Sequence, residues 1–133
     1  MNFLINIDVE ELQRGIDFYT AAFGLCVGRR FSDWVELVGG PTPIYLLPKP
    51  PDSVIAPTTP LGRNYARHWT PVHLDLVVDD IDAAIAKAVR AGARLEQEMT
   101  QHKYGKLALL ADPFGHGFCF IQFEGRGYDE IAR

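Results

Sequence analysis

The chain has 133 residues, 13 Lys and Arg against 17 Asp and Glu, and a formal net charge of -4. That length suits a single domain, and 47% hydrophobic with 23% charged residues is an ordinary globular balance. The acidic balance without a basic stripe excludes a nucleic-acid partner, and no apolar run approaches the ~20 residues of a membrane helix. The N-terminus has no basic stretch before its apolar residues, so no signal peptide is read there. Cys26 and Cys119 are the two cysteines, too far apart for a CxxC motif or a disulfide framework. A cytoplasmic, reducing setting is the expectation.

In chain order, Ile5, Ile7 and Val9 alternate with Asn6 and Asp8, the period of a half-buried strand. Leu12, Ile16, Tyr19 and Phe23 follow at helical spacing, and Gly24 is placed to end that helix. Val27 to Phe31, Trp34 to Val38 and Ile44 to Leu47 then read as three strands, with Gly39-Gly40-Pro41 as a turn.

The same plan recurs. Leu4 to Ala22 lies over His73 to Ala91, with Ile5, Ile7 and Val9 on Leu74, Leu76 and Val78, and Glu10-Glu11 on Asp79-Asp80. Asp79, Asp80 and Asp82 are placed to cap a helix and oppose its dipole. Ile81, Ile85, Ala88 and Val89 give it an apolar face, and Gly92 a stop. Arg94 to Thr100, Lys106 to Leu110 and Phe118 to Phe123 complete the second set of strands, with Asp112-Pro113-Phe114-Gly115 as the last turn.

The chain therefore divides into a first module at about 1–48, a Pro-rich linker at 48–71, a second module at about 72–124 and a tail at 125–133. The expected class is α+β: two tandem β-α-β-β-β modules, each with one helix on one face of a concave, mostly antiparallel mixed sheet. One helix covers one sheet face, and the other is left open as a cup. The linker is long for a structureless loop, which points to a role in shaping a site.

The stretch from Gly15 to Leu25 resembles the first helix of the vicinal oxygen chelate superfamily, the group of glyoxalase I, bleomycin resistance protein and extradiol dioxygenase. The run Val72-His73-Leu74-Asp75-Leu76-Val77-Val78-Asp79-Asp80 is similar to that group's fifth strand. Ala111-Asp112-Pro113-Phe114-Gly115-His116 is similar to its Asp-Pro-x-Gly turn. The resemblance covers residues 3 to 124 and implies a small-molecule site in a cup between the modules and a homodimer.

Metal-using members of the family place four ligands in that cup. Their positions fall here on Leu4, Tyr45, His73 and Cys119, of which only His73 keeps the family's residue type. A catalytic divalent ion generally takes at least three protein ligands, so no cofactor is expected. A thiolate would steer any ion bound toward soft metals.

Strand alternation puts His73, Asp75 and Val77 on the open face of the second module. An Asp beside a His raises its pKa and orients its ring, which suits a general base, a ligand anchor or a structural pair. Trp34 and Trp69 are candidate aromatic walls, although Trp is more often core than ligand-binding. His102 and Tyr104 lie where a turn would rim the cup. His116 is read as a turn-bonding residue and His68 as the end of the linker. Cys119 is read as a small buried hydrophobe rather than a nucleophile.

Two functions compete, beside a non-catalytic partner-binding or regulatory module that no charge run or exposed amphipathic helix supports. One is a metal-free protein that binds a polar or cationic small molecule, with Tyr45, His73, Asp75, Cys119, Trp34, Trp69, His102 and Tyr104 as candidate contacts. The other is a glyoxalase-type lyase or a dioxygenase with an unusual or absent metal site, in which His73 is the candidate catalytic residue.

Overall fold

The computed structural model describes residues 1–68 and 70–133. Trp69, a candidate ligand contact, lies outside the described residues. The chain splits into two compact units, Met1–Ala66 and Arg67–Arg133.

In the first unit the alternating apolar residues become β1 (Ile5–Val9). Its inner side meets α1 (Leu12–Phe23), where Gly15 lets the helix approach Val9 and Leu46 closely. The helix starts because the Glu11 carboxylate accepts hydrogen bonds from the Gln13 and Arg14 amides at 3.0 and 2.8 Å. It stops where Gly24 turns left-handed. Its buried face is Gly15, Ile16, Phe18, Tyr19 and Ala22. Phe18 and Tyr19 meet edge to face at 4.9 Å. Burying Phe18, only 2% exposed, contributes about 1.5–3 kcal/mol.

β2 (Cys26–Arg30), β3 (Val35–Val38) and β4 (Ile44–Pro48) complete this sheet in the order β1-β4-β3-β2. β1 and β4 run parallel and the other pairs antiparallel. The parallel pair is the geometric result of sending the chain back through two hairpin-like returns before β4 lies beside β1.

The second unit repeats the arrangement. β5 (Leu74–Val77), β6 (Arg94–His102), β7 (Gly105–Ala111) and β8 (Gly117–Phe123) lie in the order β5-β8-β7-β6, with β5 and β8 parallel. α2 (Ile81–Ala91) is capped by Asp80, whose carboxylate accepts from the Ala83 amide at 3.0 Å, and ends at left-handed Gly92. Of the three aspartates expected near this cap, Asp80 is the one that makes it. Ile81, Ala88, Leu110, Phe114, Phe118, Phe120 and Ile121 form the core.

Two segments differ from the sequence reading. The residues after Gly125 do not trail off as a tail. Gly127–Glu130 form a 3-10 turn, and the Tyr128 ring packs 4.8 Å from Phe123 and 5.2 Å from Tyr104. An aromatic directly after the Gly125-Arg126-Gly127 turn can reach back over the last strand, which the sequence period does not reveal.

The Pro-rich stretch likewise has structure. Asp52 and Arg63 exchange backbone bonds with one another's neighbourhood, the Asp52 amide donating to the Arg63 carbonyl at 2.8 Å and the Arg63 amide to Ser53 at 3.0 Å. The Arg63 guanidinium holds Asp8 on β1 at 2.6 Å, and the Tyr65 hydroxyl donates to the Lys49 carbonyl at 2.7 Å. The stretch through Ala66 therefore closes along the β1 edge of its own unit.

Candidate functional site

Each sheet has a helix side and an open side, and register decides what gathers on the open one. In the first unit Asn6 pairs with Tyr45 and Tyr45 with Glu36, so these three side chains stand in a row across β1, β4 and β3. Arg29 reaches over from β2. Its Nη2 and Nε donate to Glu36 Oε1 and Oε2 at 2.6 and 3.0 Å, and its backbone amide to Oε2 at 3.1 Å. The Tyr45 hydroxyl donates to Glu36 Oε1 at 3.2 Å and accepts from Arg29 Nη2 at 3.1 Å.

The electrostatics follow from that geometry. Glu36 is buried at 7% exposure, and the Arg29 hydrogen bonds hold its carboxyl down at about 2. Arg29 is pushed further up by the same partner, while its side chain stays 67% exposed. The result is a fixed cation edge on the surface, backed by a carboxylate that burial keeps in place. Trp34 lies beside it, its ring 5.6 Å from Tyr45 and stacked on Phe31 at 3.7 Å.

Sequence reasoning missed Arg29 and Glu36. A signal was available: Glu36 is a lone acid between Val35 and Leu37, both fully buried, in a strand too apolar to carry an unpartnered charge.

In the second unit Asp75 pairs with Cys119, the position that Asn6 and Tyr45 occupy in the first. His73 Nε2 and Asp75 Oδ1 are 3.1 Å apart, both side chains substantially exposed. The ligating atoms of His73, Asp75 and Cys119 all lie within 4.8 Å of one another. Burial pushes the Cys119 thiol up to about 11, and the negative Asp75, which accepts its hydrogen bond, adds to the shift. The group is thus a histidine, a carboxylate and a neutral thiol on one sheet face.

The remaining candidates have other engagements. His102 ends β6, its ring stacked on Tyr104 at 5.0 Å and its Nε2 2.8 Å from Thr100 Oγ1. Tyr104 also meets Tyr128. His116 Nδ1 lies 2.7 Å from Asp112 Oδ2, and Asp112 Oδ1 accepts the Phe114 and His116 amides. That makes the Asp-Pro-Phe-Gly turn an Asx-type turn closed by its own histidine. His68 is exposed, and its carbonyl accepts from Arg67, whose guanidinium also pairs with Glu96 at 2.9 Å.

Residues 4–121 match the Glyoxalase-like domain family, and the chain belongs to that family. Among its relatives, the anthracycline biosynthesis protein DnrV of Streptomyces peucetius is 31% identical over 118 residues, which is 87% of this chain and 38% of that protein. The chain thus spans well under half of that relative's length. The uncharacterized protein Rv0887c of Mycobacterium tuberculosis is 40% identical over 57 residues, 40% of this chain and 32% of its own.

Among solved structures, the fosfomycin resistance protein FosX of Listeria monocytogenes superposes with a TM-score of 0.73 at 14% identity, covering 99% of this chain and 98% of that one. TioX of Micromonospora sp. ML1 gives 0.70 at 15% identity, covering 93% and 99%. At such identities these two establish the shared fold. No described helix is long and apolar enough to cross a membrane.

The family's four-ligand metal centre does not fit the first unit. Leu4 carries no donor atom, and the Tyr45 hydroxyl is engaged by Arg29 and Glu36. The donor-bearing part of the set lies in the second unit, where His73 and Cys119 are joined by Asp75, a residue outside the four family positions.

Proposed function

We propose that this protein binds a small molecule with a planar ring and a polar, hydrogen-bond-accepting substituent, and does not transform it through the family's four-ligand metal centre. The observation that carries this reading is the Arg29–Glu36–Tyr45 cluster. It stands where a metal-using relative needs a free ligand, and it offers instead a fixed guanidinium edge beside the stacked Trp34 and Phe31. Such a surface takes a planar ring on the indole and a polar substituent on the arginine. The relatives named for anthracycline biosynthesis and fosfomycin resistance support antibiotic-like molecules as the first ligands to try. The same reading takes the protein as a cytoplasmic homodimer.

The test is a thermal-shift and calorimetric screen against anthracyclines, bleomycin and fosfomycin, with mass spectrometry of the recovered ligand. Saturable binding of an intact molecule, weakened about tenfold or more by Trp34→Ala, is the expected result. Conversion of the molecule to product by wild-type protein overturns it.

One observation favours the second reading, an enzyme in which His73 is the base: the Asp75 carboxylate stands 3.1 Å from its Nε2. Product formation lost in His73→Gln, with ligand binding retained, would select that reading.

A further inference from the structure

We propose that His116 is a nucleophilic imidazole, its ring locked by Asp112 so that Nε2 takes the acyl group of an aryl ester. The site lies wholly in the second unit. It uses no residue of the Arg29 cluster and none of the His73, Asp75 and Cys119 group, so it is separate from the binding function proposed above.

The turn between β7 and β8 carries the inference. The Asp112 side chain has 0% exposure. Its Oδ1 accepts the Phe114 and His116 amides at 2.8 and 2.9 Å, and its Oδ2 lies 2.7 Å from His116 Nδ1. A carboxylate oxygen only accepts, so this contact puts the ring proton on Nδ1 and leaves the lone pair of the neutral imidazole on Nε2. The His116 side chain is 36% exposed, and among the described residues nothing hydrogen-bonds to Nε2. The turn also holds the ring in place. The Asp112 amide donates to the His116 carbonyl at 2.8 Å, Phe114 anchors the turn in the core, and Arg67 Nη1 donates to the Gly115 carbonyl at 3.4 Å. A buried carboxylate behind an imidazole whose far nitrogen is open is the arrangement of an oriented nucleophile or base.

Two other histidines differ at that atom. His73 Nε2 lies 3.1 Å from Asp75 Oδ1, which leaves Nδ1, the nitrogen crowded by the residue's own backbone. His102 Nε2 lies 2.8 Å from Thr100 Oγ1, and its ring is stacked on Tyr104. Of these three, His116 is the one that presents Nε2.

In the reaction, Nε2 attacks the ester carbonyl carbon and a C–N bond forms. The C–O bond breaks, and its electron pair leaves on the phenolate. Aryl esters are the class that suits the site, because a phenolate departs without a proton from a general acid. The acylated ring keeps its Nδ1 proton, and its positive charge faces the Asp112 carboxylate. Water then attacks the acyl carbon, the carboxylic acid departs, and Nε2 regains its lone pair. The sum is ester and water to acid and phenol.

The experiment uses the full chain carrying Cys26→Ser, which removes the exposed thiol as a competing nucleophile. Nitrogen-15 NMR of the imidazoles, above the pH range in which histidine titrates, should show His116 as the Nδ1–H tautomer. With p-nitrophenyl acetate as the probe, His116→Gln should lower p-nitrophenolate release about tenfold or more. In Asp112→Asn the side-chain oxygen can still accept the two amides, while its NH2 faces the ring and moves the proton to Nε2. That variant should show the switched tautomer and a similar loss of rate, a pairing that a purely structural role would not produce. His116 is partly exposed, so His116→Gln reports even if Asp112→Asn folds poorly. His68→Gln should keep the full rate. An Nε2–H tautomer in the parent protein, full release in His116→Gln, or a switched tautomer at unchanged rate in Asp112→Asn would each overturn the proposal.

Discussion

Replacing Gly105 with Ala puts the hairpin that carries His102 and Tyr104 under direct test. Gly105 opens β7 at a φ of +137°, a conformation that costs a residue with a Cβ about 1–3 kcal/mol. A Cβ there would also overlap the Gln122 carbonyl oxygen and stand 3.0 Å from both the Gln122 carbonyl carbon and the Glu124 amide nitrogen. All three obstacles are backbone atoms of the last strand or of the residue just after it, so no rotamer change relieves the contact. β7 and β8 must separate at this end. The bond donated by the Glu124 amide to the Tyr104 carbonyl, now 3.0 Å, weakens with the Gly105–Phe123 pairing. At about 0.5–1.5 kcal/mol for each of these two bonds, the total is about 2–6 kcal/mol, or a fall in Tm on the order of 10 °C. Urea unfolding followed by circular dichroism measures it, with Lys103→Ala, an exposed neighbour in the same turn, as the control expected within about 0.5 kcal/mol. A Gly105→Ala loss below about 1 kcal/mol would refute the claim that backbone packing demands glycine there.

Three further outcomes are expected. With chelator present at neutral pH, iodoacetamide modifies exposed Cys26 and leaves Cys119 until urea is added, because the buried thiol at about 11 is scarcely ionised; rapid labelling of Cys119 in the folded protein, read by peptide mass spectrometry, would contradict this. Glu36 has its folded carboxyl lowered to about 2 against about 4.3 unfolded, so it stabilises the fold above the unfolded value, and that contribution is lost as pH falls through the folded one. The stability difference between wild type and Glu36→Gln should be constant above about pH 5 and shrink from there toward pH 2, and a pH-independent difference in urea unfolding would show that Arg29 does not hold the carboxylate ionised. Finally, Arg63→Ala removes a 2.6 Å pair with Asp8 in which both side chains are partly buried, at a cost of about 1–3 kcal/mol. Limited proteolysis should then open the segment between Asp52 and Arg63 faster than in wild type; unchanged cleavage would mean that the backbone bonds alone hold it.

Local patterns made much of the fold legible. The alternation of Ile5, Ile7 and Val9, the acid before each helix and the glycine after it are short-range signals, and each corresponds to one element. The repeat extended them, because two stretches with the same pattern have the same way to bury it. The turn at Asp112 was also legible, since an Asx turn is made by its own side chain within four residues. Tyr128 was not, because its packing against Phe123 and Tyr104 joins segments that no local period connects.

The candidate site divides in the same way. His73 and Asp75 are neighbours on one strand, so alternation alone put them on one face. That Cys119 completes a three-donor group with them depended on the β5–β8 register, and a slip of one residue would have faced Phe118 or Phe120 toward Asp75 instead. Arg29, Glu36 and Tyr45 come from three strands, and only the β2–β3–β4 pairing makes them a cluster. Hydrophobic period and capping act over a few residues, so the strands, the two α-helices, the repeat and the family resemblance were readable from the chain alone, while the Gly127–Glu130 turn was not. Tertiary structure alone decided which donors meet, because strand register is set by the packing of whole sheets against their helices.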